Sequence, residues 1–181
     1  MHRFEIIHPY SWSMNAVTTH PRQIAIASWD QSRSQIIAAF AQCEFAVTET
    51  LRLLSEVHNG AATIKIKPTL KGRLAQLHEL LGCDGSYVRQ GRAILEPLQA
   101  IQEKIELRNL LCHGCVNLYT NDSGAWIARI KMMAVARGTS LLKEELLTEE
   151  GTSDLLKQLM VQSKTLLHRL RQFQNNLASK A

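Results

Sequence analysis

Two long apolar stripes with helical spacing constrain this chain more than any other feature. From about Ser32, the residues Ile36, Ile37, Phe40, Cys43, Val47, Leu51 and Leu54 recur at threes and fours, and the run stops before "HNG". Over about 153 to 178 the pattern returns as Leu156, Leu159, Ser163, Leu166, Leu170, Phe173 and Leu177, with Lys157, Lys164, Arg169 and Arg171 opposite. A helix with one apolar stripe needs other elements to cover it, so two such helices predict a bundle.

The segments between them fit that frame. "TLKGRLAQLHELLG" predicts a helix through Leu70, Leu74, Leu77, Leu80 and Leu81, with Thr69 as its cap and Gly82 as its stop. A third helical region runs from about Ser86 to His113. Pro97 should kink it or start a new helix, because proline lacks an amide donor and clashes with the preceding turn. The period then changes: "CVNLYT" and "AWIARIKMMAV" flank "NDSG", which predicts a β-hairpin. "ATIKIKP" reads as a connector or short strand ending at Pro68. Residues 1 to 31, where "FEII" mixes with His, Pro, Ser and Trp, hold no sustained period and read as an N-terminal arm or a short strand. The expectation is a mainly α fold: an up-and-down helical bundle over residues 32 to 181, with the hairpin inserted before the last helix.

Length and composition agree with one globular domain: 181 residues, 45% hydrophobic and 20% charged. A formal net charge of +5 accommodates a polyanionic partner without demanding one. No charged segment followed by an apolar stretch opens the chain, and no apolar run is long enough to cross a bilayer. The expected compartment is the cytoplasm, where Cys43, Cys83, Cys112 and Cys115 stay reduced, with no membrane partner.

The chemistry concentrates in "EKIELRNLLCHGCVNLY", residues 103 to 119. On an ideal wheel drawn from Leu98, Asn109 and His113 lie about 20° and 60° to one side and Arg108 about 80° to the other. The three polar residues flank the inner stripe, while Leu107, Leu110 and Leu111 lie around the back. A helix end that is apolar on two sides is covered on two sides, by the bundle and by the hairpin, the last helix or a second copy. Arg108 and His113, about 7.5 Å apart along the axis, could straddle a small anionic group. Histidine trades protons near neutrality, and arginine grips phosphate with two donors. The plainer reading pairs Arg108 with Glu106 or Glu103 and uses His113 as a helix C-terminal cation. Gly114 is placed to end the helix in a left-handed conformation.

"RNLLCHG" resembles the Arg-Asn-x-x-x-His motif of HEPN domains, including the glycine that often follows it. HEPN domains are helical bundles with this motif at a helix end and a final helix later in the chain. The resemblance implies a metal-independent endoribonuclease that needs no cofactor, often of a toxin, defence or stress-response system, acting on RNA as a homodimer. Arg108, Asn109 and His113 would be its catalytic residues. An antitoxin or a nucleotidyltransferase would be a fitting partner. Some HEPN proteins are instead non-catalytic scaffolds that bind a protein partner or a nucleotide. Many use an acidic residue from an earlier helix, for which Glu44 is the candidate here.

Other features carry less. Cys112 and Cys115 bracket His113 in "CHGC", but a zinc site needs further ligands, and only Cys83 in "GCDG" offers one. Lys65, Lys67, Lys71 and Arg73 cluster around Pro68 and read first as a solvated loop, second as a phosphate track. Trp12, Trp29 and Trp126 lack the interleaving of a base-stacking platform and read as core or interface.

Overall fold

The first helix starts earlier than its apolar stripe suggests. In the computed structural model, which describes residues 5–7, 20–57, 64–82, 87–136 and 138–179, α1 spans Pro21–Val57. Residues 21–31, expected in an arm, are therefore helical. Proline suits a first helical turn, where its missing amide is no loss. Further along come α2 (Leu70–Gly82), α3 (Val88–Gln102) and α4 (Ile105–His113). The strands are β1 (Glu5–Ile7), β2 (Cys115–Thr120), β3 (Trp126–Ala136) and β4 (Thr139–Thr148), and α5 (Glu149–Ala178) closes the order. Helices hold most of the described residues, and a small antiparallel sheet precedes the last helix. None of these helices is long and apolar enough to cross a membrane. "HNG", Trp12 and Cys83 lie outside the described residues.

Contacts divide the chain into two compact units, one of residues 1–37 and 106–157, the other of residues 38–105 and 158–181.

The second unit follows the apolar periods closely. Phe40, Cys43, Val47, Leu51 and Leu54 of α1 are buried, as are Leu70, Leu74, Leu77 and Leu81 of α2. Thr69 caps α2, its Oγ1 accepting the Gly72 amide at 3.1 Å. Buried Thr50 receives Gln174 Nε2 of α5 at 2.9 Å, so its hydroxyl is not stranded. Pro97 does not start a new helix: it lies buried inside α3, beside buried Ile94, Leu98 and Ile101. The break comes later, at Glu103 and Lys104, where Lys104 N donates to Ile101 O at 3.1 Å in a tightened last turn. The wheel that runs unbroken from Leu98 to His113 therefore does not apply, and only relations inside α4 survive.

The first unit holds the sheet, in the order β1-β2-β3-β4 with every pair antiparallel. β2 and β3 form the expected hairpin. Asn121 Oδ1 accepts from Ser123 N at 3.1 Å, Ser123 Oγ at 2.8 Å and Ala125 N at 3.0 Å, and Gly124 takes φ +85°, which a side chain would resist. The hairpin is only part of the sheet, however. β4, "TSLLKEELLT", adds a further strand that the sequence hides, because its leucines come in doublets rather than alternating. The last helix also starts earlier than 153, at Glu149, since Thr148 Oγ1 accepts the Gly151 amide at 3.1 Å and starts α5. One sheet face is core, with Leu118, Trp126, Ala128 and Ile130 buried. Trp126 meets Trp29 edge to face at 5.2 Å, and its Nε1 donates to Ser28 Oγ, which donates to Glu149. Both tryptophans are core.

Candidate functional site

α4 is short, nine residues, and its last residue is His113. Helices leave their final carbonyls without partners, so something must hold this end. Gly114 N donates to Leu110 O at 2.8 Å, and Arg33 Nε of α1 donates to Leu111 O at 2.9 Å. The second bond brings a guanidinium to the negative end of the helix dipole. The chain then enters β2 at Cys115, after a single residue.

That abrupt entry explains Gly114. It does not adopt the left-handed conformation expected of it, since among the described glycines only Gly124 and Gly138 have positive φ. Its need is space: a Cβ there would lie 2.5 Å from Leu110 O and 2.5 Å from Ile130 Cγ2. The end of α4 is pressed against β3, and only glycine fits between.

The three motif residues are placed differently. Arg108 and Asn109 are half-buried, and Arg108 Nη1 donates to Asn109 Oδ1 at 3.3 Å. His113 is exposed and opens onto a groove of about 600 Å³ lined also by Cys115, Lys131, Met132, Met133 and Leu142. Arg108 and Asn109 are not part of that lining. Within an ideal helix five residues turn a side chain by about 140°, so Arg108 and His113 leave α4 in divergent directions. Asn109, one turn before His113, shares its side of the helix.

Lys131 is a groove residue that sequence reasoning missed. It stands opposite Cys115 in the β2–β3 register, and its Nζ lies 3.7 Å from Glu144. Arg129 Nε also donates to Glu144, at 2.6 Å, and this holds the Glu144 carboxyl below its usual range. The signal available in sequence was the alternation of Arg129, Lys131 and Met133 along β3, which marks a non-core face. Arg33 was equally hidden, because nothing in a sequence tells which distant side chain reaches a helix end.

Other expectations divide. Glu106 pairs with Lys143 of β4, and Glu103 accepts Gln99 Nε2 at 3.1 Å. Leu110 and Leu111 are buried within the chain and Leu107 is half-buried, so the back of α4 is already covered and gives no argument for a second copy there. Glu44 forms an ion pair with Arg73 inside the helical unit. That pairing also removes Arg73 from the basic cluster, whose Lys65 and Lys67 backbones are clamped by the Gln76 amide at 3.0 and 3.1 Å. Cys43, Cys112 and Cys115 are free thiols. Burial pushes the Cys43 thiol up to about 12, while Cys115 is exposed. Among the described residues no group of three His, Cys, Asp or Glu side chains could hold a metal ion.

Compared with known proteins, no family model, curated protein or solved structure matches this chain.

Proposed function

We propose that this protein is a metal-independent endoribonuclease of HEPN type, a cytoplasmic homodimer serving a toxin, defence or stress-response system. One observation carries the reading: "RNLLCHG" falls at a helix end, with His113 exposed on a groove beside Lys131 and with Arg108 and Asn109 hydrogen-bonded to each other just before it. His113 accepts the proton of an RNA 2′-hydroxyl as that oxygen attacks the neighbouring phosphorus. Arg108 steadies the charge gathering on the phosphate oxygens. The P–O5′ bond breaks and the departing 5′-oxygen takes a proton from water, giving a 2′,3′-cyclic phosphate and a 5′-hydroxyl. Asn109 orients Arg108 through the bond it already makes. Because Arg108 and His113 diverge on one helix, one copy's His113 works with the other's Arg108, which gives the homodimer its purpose. An antitoxin or a nucleotidyltransferase is the partner class that suits such an enzyme.

The test is cleavage of labelled single-stranded RNA in EDTA. Wild type should cut and leave 2′,3′-cyclic ends, and His113→Ala should lose about 10²–10⁴-fold in rate, the usual worth of a general acid or base. Cleavage that needs added Zn²⁺ or Mg²⁺ would overturn the proposal. The second reading is a non-catalytic HEPN-like scaffold that binds a protein partner or a nucleotide. It draws on the same Arg108–Asn109 bond, which engages two motif residues with each other.

A further inference from the structure

β4 is the outer strand of the described sheet, and exposed leucines flank the charged centre, Lys143, Glu144 and Glu145, on both sides. Leu141, Leu142 and Leu146 are 57%, 54% and 60% exposed. Met133, directly opposite Leu142 in the β3–β4 register, is 61% exposed. The geometry points to a second copy of this chain as the occupant of that edge, added strand to strand, β4 against β4, antiparallel about Glu144.

The sequence of the strand chooses both partner and register. "LLKEELL", Leu141 to Leu147, reads almost the same from either end. Directly opposed residues of an antiparallel pair lie on one face of the sheet. A twofold axis normal to the sheet therefore passes through a residue. Centred on Glu144, Leu142 meets Leu146, Leu141 meets Leu147, and Lys143 meets Glu145, each twice by symmetry. Centring on Lys143 would set Leu142 against Glu144 and Leu141 against Glu145. Centring on Glu145 would set Leu146 against Glu144 and Leu147 against Lys143. Only the first register joins apolar with apolar and positive with negative. Its one like-charged contact, Glu144 with itself, is relieved within each copy by Arg129 at 2.6 Å and Lys131 at 3.7 Å.

The surface is continuous with the groove that carries His113, because Leu142 belongs to both. The inference rests on the homodimer part of the proposed function and not on catalysis.

Light scattering on the full chain at tens of micromolar should give twice the 20.4 kDa mass. Glu145→Lys, which sets lysine against Lys143 at an exposed position, should give a monomer with an unchanged melt. Glu144→Cys in a Cys115→Ser parent should crosslink under mild oxidation well above the parent, because opposed Cα atoms at about 4.5–5.5 Å suit a disulfide. Glu145→Cys should not exceed the parent. A wild-type monomer, a dimer that survives Glu145→Lys, or crosslinking through Glu145→Cys in place of Glu144→Cys would each overturn the strand pairing. RNA cleavage is read separately: a monomer that cuts sinks the pairing and the sharing of His113 and Arg108 between copies but leaves the ribonuclease activity standing, and a crosslinked dimer that never cuts sinks the ribonuclease and leaves the pairing.

Discussion

The two units of this chain solve opposite problems. The helical unit, residues 38–105 and 158–181, buries the apolar stripes of its helices, with Phe45 and Val161 left exposed, and settles its charges locally. Glu44 is matched by Arg73, Thr50 by Gln174 and the start of α2 by Thr69. The sheet-bearing unit gathers its open groups along one strand and one groove. It exposes leucines on β4, holds a lysine and a histidine at one groove, and ends its motif helix with a single glycine before a strand. Side chains whose interactions are complete within a unit stabilise it. The open groove and the exposed leucines of β4 are where another molecule has something to add.

Substitutions test that contrast, and those in the buried core should cost most. Leu98→Ala removes a side chain with no exposure in the helical unit and should cost about 2–5 kcal/mol in urea unfolding. Cleavage per folded molecule should stay at the wild-type level. A loss of cleavage without loss of stability would erase the distinction between the units. Gly114→Ala should cost about 1–3 kcal/mol, because its Cβ meets the Leu110 carbonyl, a backbone atom that cannot swing away. Unlike Leu98→Ala, it should also depress cleavage well below its melting temperature by shifting His113.

Arg33→Ala strips the Leu111 carbonyl of its cationic partner. It should cost about 1–2 kcal/mol and speed amide exchange in the last turn of α4, with exchange in α2 unchanged. The smallest effect is chemical. In native protein Cys115 should alkylate with iodoacetamide at pH 8, whereas Cys43, its thiol pushed up to about 12 by burial, should resist until the chain is unfolded. Mass spectrometry of the labelled peptides checks this, and early labelling of Cys43 would mean the helical unit opens readily.

How much of this was legible in the sequence follows the same division. The stripes through Leu51, Leu74 and Leu170 named buried residues correctly, because a helix with a wet side must alternate at its own period. Thr69 was readable as a cap because capping is local. Asn121 and Gly124 were readable as a turn for the same reason. What stayed hidden was what depends on distant neighbours. Pro97 remains inside α3, while the chain turns at Glu103 and Lys104. Gly114 answers to Ile130, sixteen positions on, rather than to its own φ. β4 shows no alternation, since a strand with both faces largely wet has no period to display. In the candidate site, Arg108, Asn109 and His113 were visible as a motif, but Lys131 and Arg33 needed the fold to bring them there.

Substitution of Arg108 decides whether the end of α4 is a chemical site or a structural one. Wild type, Arg108→Lys and Arg108→Ala would be melted and assayed side by side on single-stranded RNA in EDTA. The ribonuclease account predicts three cooperative melts close together. Arg108→Lys should cleave weakly, having kept the charge but lost the planar fork, and Arg108→Ala should fall about 10²–10³-fold, the cost of one donor to a developing negative charge. A melt that collapses for Arg108→Ala, or wild-type protein that cuts no RNA offered to it, would contradict that account and leave the scaffold.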